Sequence, residues 1–168
     1  MGARPFHVLV LCTGNSARSI LGEVILNQLG AGRIAAFSAG SQPKGAVHPG
    51  ALRLLAARGI DTAGLSSKSW NVFTGPDAPP IDLAITVCGN AAEEACPVFP
   101  GAPLRAHWGL PDPAAVEGDD AAVDAAFAQT WDWLAMRAKA LLALPFATME
   151  PAELQARLAE IGAMEGAA

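Results

Sequence analysis

Residues 7–11, His-Val-Leu-Val-Leu, form an almost unbroken apolar run, and Cys-Thr-Gly-Asn-Ser-Ala-Arg follows directly at 12–18. A strand apolar at successive positions is buried on both faces, which is the habit of a parallel sheet covered by helices. The next stretch, 19–29, has helical spacing through Ile20, Val24 and Leu29. Strand, polar turn and helix in that order commit the chain to the crossover units of an α/β fold.

The remaining sequence continues the alternation. Further strands are predicted at 34–37, 83–87 and 105–108, and helices at 49–58 and 121–144, with a short capped helix within 65–73. Pro49 suits a first helical turn, and Gly59 follows the expected end. From the long helix, Val123, Phe127, Trp131, Leu134 and Leu141 are expected to face the core, and Pro145 stops it. Trp131 and Trp133 cannot share one helical face. Residues 38–45, Ser-Ala-Gly-Ser-Gln-Pro-Lys-Gly, read as a turn region, and 74–82 and 109–120 as loops. Glu117–Asp120 reads as a solvated helix start, where the dipole favours negative charge. A chain of 168 residues without internal repeats is expected to hold one domain, 1–145. Residues 146–168 are expected to add a C-terminal extension, a peripheral helix with a frayed end.

Composition narrows the function classes. The net charge is -5 and the basic residues are scattered, so no nucleic-acid surface is expected. No apolar run approaches the roughly 18 residues of a membrane span. Arg4 before an apolar run imitates a secretion signal. Bulky Leu11 stands where cleavage would want small residues, so a cytoplasmic protein is expected. Three cysteines make no disulfide framework and fit a reducing compartment. Together with the three histidines they lack zinc spacing, so neither a metal centre nor a cofactor is expected.

The chemistry concentrates after the first strand. In α/β folds ligands gather beyond the carboxyl ends of strands, where helices begin, and Cys12 sits there. Thr13, Gly14, Asn15, Ser16 and Ala17 would turn their backbone N–H groups inward above the next helix. Such a nest suits a tetrahedral oxyanion. Gly14 is expected to supply a backbone angle other residues resist. Arg18 adds a planar fork of donors. The same field stabilises a thiolate on Cys12, and a thiolate beneath an oxyanion is a nucleophile. Asn15 and Ser16 can hold the loop by side-chain hydrogen bonds, and Ser19 is close enough to donate to the sulfur. A buried, inert cysteine before a helix cap is the competing reading.

The stretch Cys-Thr-Gly-Asn-Ser-Ala-Arg-Ser at 12–19, with Pro-Asp-Pro at 111–113, resembles the low-molecular-weight phosphotyrosine phosphatases. ITVCGNAAEEACPVFPGAPLRAHWGLPDPA at 85–114 is similar to the arsenate reductases that share their fold, as are FSAGSQP at 37–43 and VHPGAL at 47–52. This resemblance, over about 6–144, implies a single-domain three-layer α/β/α fold with a central four-stranded parallel sheet. It implies reduction of arsenate, with phosphate or sulfate as mimics. Cys12 attacks arsenic, Asp112 donates a proton from between two prolines, Cys88 attacks the Cys12 sulfur, and Cys96 then attacks Cys88. Thioredoxin or another thiol would restore the monomeric enzyme.

The resemblance further implies a weak monovalent-cation site at Asn15, Glu23 and Ser38, with no acidic counterpart near 66–70 for a fourth ligand. Gly89 replaces an acidic residue of many members, and Ala17 a cysteine of some that lies outside the relay. If 88–96 were helical, its cysteines would stand about 12 Å apart. A disulfide wants roughly 5.5 Å, so that segment must bend on oxidation. Two alternatives remain at this stage: a phosphatase working through a phospho-cysteine, and a non-catalytic oxyanion or redox sensor. The chain contains no tyrosine, which disfavours a phosphotyrosine pocket. His7 is expected to be a satisfied core residue, His48 to orient a loop near the site, and His107 to brace the acid loop.

Overall fold

Strand β1 (Phe6–Cys12) lies inside a four-stranded parallel sheet, between β2 (Ile34–Gly40) and β3 (Leu83–Thr86), with β4 (Leu104–His107) beyond β3. The computed structural model describes residues 5–87 and 102–167. Helix α1 (Arg18–Leu29) joins β1 to β2, and α2 (Pro49–Ala57) and a 3-10 turn (Trp70–Phe73) precede β3. A second 3-10 turn (Pro113–Ala115), α3 (Asp120–Leu142) and α4 (Pro151–Gly162) complete the chain.

The unbroken apolar character of β1 is explained by its two covers. Val8 and Val10 face a core built with α1, α2, α3 and α4, through Leu21, Leu55, Leu134 and Leu158 among others. Leu9 and Leu11 face the other side, against Ile81, Ala84 and Ala102, with Trp70 and Phe73 packed over them. The sheet is thus the middle of three layers. Each fully buried Leu or Val removes enough apolar area to be worth about 1.5–3 kcal/mol.

Several expectations are revised. β2 runs through Ser38, Ala39 and Gly40, where a turn was expected, because Val10 pairs with Ser38, Leu11 with Ala39 and Cys12 with Gly40. Within 65–73 the only helical turn is Trp70–Phe73, capped by Ser69 Oγ. Helix α1 starts at Arg18, one residue earlier than the spacing suggested. Of the expected core face of α3, Phe127, Leu134 and Leu141 are buried, while Val123 and Trp131 pack partly against it. Trp131 carries the Arg58 guanidinium over its ring at 4.8 Å.

The chain beyond 145 is not peripheral. Phe146, Leu154, Leu158 and Ile161 belong to the same core as β1. A Cβ at Gly162 would collide with the His107 carbonyl, so α4 lies hard against the end of β4. The final turn is held rather than frayed: buried Arg137 donates to Met164 O at 2.8 Å and Glu165 O at 3.0 Å.

Candidate active site

The β1–α1 loop closes over Cys12 at the carboxyl end of the sheet. Three of its carbonyls are engaged from outside. Gln42 N donates to Thr13 O at 2.9 Å, Lys44 N to Gly14 O at 3.0 Å, and His48 N to Ser16 O at 2.8 Å. Ser67 Oγ adds a second bond to Gly14 O. In a planar trans peptide the next N–H points opposite to the carbonyl. Outward carbonyls at 13, 14 and 16 therefore turn the N–H groups of Gly14, Asn15 and Ala17 inward. Asn15 N is found there, 3.2 Å from Cys12 Sγ. Ala17 caps α1 without a side-chain bond, so the first-turn amides of the helix also face the cleft.

The strained residue of the loop is Asn15, with φ of 45°, and not Gly14. Asn tolerates this left-handed region better than most residues. It is fully buried and its side chain works behind the loop. Nδ2 donates to Ser19 Oγ at 2.8 Å and Oδ1 accepts from Lys68 N at 2.8 Å. Ser19 Oγ lies 2.9 Å from Cys12 Sγ. Since the hydroxyl already accepts from Asn15, its own proton is free to go to an ionised sulfur. Gly14 is instead overlaid by the Lys44 stem, with carbons 3.1–3.3 Å from where a Cβ would stand. Gly40 is required by close approach, for a Cβ there would strike Thr13 O.

Cys12 forms the floor of a cleft of about 370 Å³ lined by Thr13, Gly14, Ser16, Ala17, Arg18, Gln42, Lys44, Asp112 and Ala114. Arg18 is 4% exposed. Its Nη1 donates to Leu110 O at 2.8 Å and to Val87 O at 3.3 Å, and its Nη2 lies 3.7 Å from Asp112 Oδ2. Asp112 is extended, as a residue before proline must be, and its Oδ1 caps the following turn by accepting from Ala114 N. Its other oxygen is left facing the cleft beside Arg18. His48 caps α2 through Nδ1, which accepts from Gly50 N, and its ring lies on Phe127. Burial pushes the His48 imidazolium below its ordinary range, Lys44 and Arg53 push the same way, and Asp112 opposes them.

The structure therefore gathers Cys12, Thr13, Gly14, Ser16, Ala17, Arg18 and Asp112 around one cleft, with Asn15 and Ser19 behind it. Cys88, Gly89 and Cys96 lie outside the described residues, and so does the segment expected to bend. The sequence reading missed Gln42 and Lys44 at the cleft and Ser67 and Lys68 behind it. Their stretches were read only as a turn and a short helix. His7 is half-buried, with Nδ1 2.7 Å from Pro80 O, and His107 Nδ1 lies 2.8 Å from Thr86 Oγ1.

The side chains of Glu23, Ser38 and Asn15 all have partners within the chain. Ser38 Oγ donates to Glu23 Oε1, and Lys68 Nζ lies 4.0 Å from the same oxygen. The Asn15 oxygen is already taken by Lys68 N. Among the described residues no group of three His, Cys, Asp or Glu side chains could hold a metal ion.

A sheet-end cysteine, an inward nest of amides and an arginine six residues on define a protein of the phosphatase-loop class. Residues 7–157 match the family of low molecular weight phosphotyrosine protein phosphatases, and the chain belongs to that family. Its curated relatives include an arsenate reductase of Bacillus subtilis, 33% identical over 79% of this chain and 91% of that protein. An arsenate reductase of Halalkalibacterium halodurans is 34% identical over the same shares. A solved arsenate reductase in a phosphate-binding state superposes with a TM-score of 0.66 at 28% identity, covering 82% of this chain and 97% of the other.

Proposed function

We propose that this protein reduces arsenate to arsenite by a cysteine relay. The observation that carries the reading is the placement of Arg18. It borders the cleft above Cys12 and is tied to the carbonyl of Val87, the residue directly before Cys88. Val87, the last described residue before Cys88 in the sequence, thus stands beside the anion cradle. Both curated relatives named above are arsenate reductases. Among the described residues no aromatic side chain lines the cleft to hold a phosphotyrosine ring.

Arsenate rests on the inward amides and the Arg18 fork. The Cys12 thiolate attacks arsenic, and one arsenate oxygen leaves as water on a proton from Asp112. The Cys88 thiolate then attacks the Cys12 sulfur. The sulfur–arsenic bond breaks and its electron pair stays on arsenic, so arsenic(V) becomes arsenite and a Cys12–Cys88 disulfide forms. Cys96 attacks the Cys88 sulfur and frees Cys12 as thiolate. An external dithiol, thioredoxin or a chemical equivalent, reduces the Cys88–Cys96 disulfide in the cytoplasm. The scheme uses no cofactor.

The test is stoichiometric. Reduced protein given arsenate without a recycling donor should release one arsenite and lose one pair of thiols per chain. Serine at Cys88 or Cys96 should stop cycling and leave phosphate binding intact. Release of phosphate from an aryl phosphate, with no arsenite formed, would overturn the reading.

A further inference from the structure

Behind the loop lies a charged pair that the relay does not use. Glu23 sits on α1 one turn after Ser19, its side chain 16% exposed, and Lys68 approaches from the segment before the Trp70–Phe73 turn, 26% exposed. The Lys68 ammonium donates to Ser66 O at 2.8 Å and stands 4.0 Å from Glu23 Oε1. From the same residue, the backbone N–H holds Asn15, Asn15 holds Ser19, and Ser19 touches the Cys12 sulfur. Lys68 is thus joined to the anion loop by its backbone and to the carboxylate behind it by its side chain.

A carboxylate in this position is a problem for an oxyanion site. Half-buried charges are screened far less than exposed ones, so an unbalanced Glu23 would repel both a bound oxyanion and an ionised Cys12. Burial holds the Glu23 carboxyl above its ordinary range, with Ser38 and Lys68 opposing, and holds the Lys68 ammonium below its own, with Glu23 opposing. We infer that Lys68 is a positioning residue that acts as a tethered cation: its ammonium balances Glu23 behind the loop and replaces a free monovalent ion there. Because the cation is part of the chain, its local concentration does not depend on the surrounding salt. The site's hold on an oxyanion is then indifferent to which monovalent cation is in solution. The inference rests on the cleft being an oxyanion site, not on arsenate turnover.

The probe is inorganic phosphate, its affinity read by calorimetry and by protection of Cys12 from alkylation. Native protein is compared in potassium, ammonium and choline chloride at equal ionic strength, and the three affinities should agree within about twofold. Lys68→Met should weaken phosphate binding about tenfold in choline, about 1.4 kcal/mol. Potassium or ammonium should restore most of it. Glu23→Gln added to Lys68→Met should abolish that response to salt. Tighter binding by the native protein in potassium than in choline would overturn the inference, and this arm stands even if the variants fold poorly. A Lys68→Met protein that binds normally, or equally badly in every salt, would also overturn it. Failure of the native protein to bind phosphate would remove the oxyanion reading and the inference together. Phosphate binding without arsenate reduction would leave the inference standing and remove the proposed function alone.

Discussion

Asp112 is the residue where binding and chemistry separate most cleanly. Its carboxylate lies 3.7 Å from the Arg18 fork, so it competes with an incoming anion, yet the proposed first step needs its proton. Asp112→Asn should slow the first turnover by about two orders of magnitude, the usual range for loss of a general acid. Phosphate affinity should stay level or rise, because a negative charge leaves the cleft. Single-turnover arsenite release and phosphate calorimetry on the same variant check the two halves. The pairing of Cys12 and Arg18 at one cleft was legible in their spacing after an apolar strand, whereas Asp112 was legible only through the resemblance carried by Pro111-Asp112-Pro113. Gln42, Lys44 and Ser67 were not legible. They act on the loop through backbone amides, a stem or one hydroxyl, and such contacts select a shape rather than a residue type. Asn15 shows the same limit: Gly14 looked like the residue with the unusual angle, and the structure gives that angle to its neighbour.

At the level of elements, the start of α2 is both a helix cap and a brace for the loop. His48 accepts from Gly50 N through Nδ1, which requires an unprotonated nitrogen, while its own N–H holds Ser16 O. Its folded-state titration is pushed below the ordinary value of 6.5, by burial first. The unfolded chain therefore binds more protons as pH drops below that value. The stability His48 contributes is present above it and declines as pH falls toward the lowered folded value. His48→Asn keeps a capping oxygen and removes the titration. Urea midpoints of native and variant protein should run parallel above about pH 7, and the native protein should lose ground relative to the variant below about pH 6. The helices and strands themselves were readable from periodicity. The far end of β2 was not, because Ser-Ala-Gly-Ser carries turn chemistry and only pairing with β1 makes it a strand.

Taken whole, the molecule folds its last helix into the same core that supports β1. Leu158 is fully buried there, so Leu158→Ala should cost about 2–5 kcal/mol. Denaturant unfolding should remain a single transition when followed by tryptophan fluorescence and by circular dichroism, as a shared core requires. The sequence hid this because α4 is short and rich in alanine and charge, and its partner surface on β4 is far away along the chain. A related dependence holds at the β1–α1 loop. The seven residues from Cys12 to Arg18 own the reactive groups, but the direction of their peptides is imposed by Gln42, Lys44, His48 and Ser67. Transplanting that heptapeptide alone onto another protein's strand–helix junction would move the letters and leave the geometry behind; a working graft would have to carry residues 40–48 and 67–68 as well.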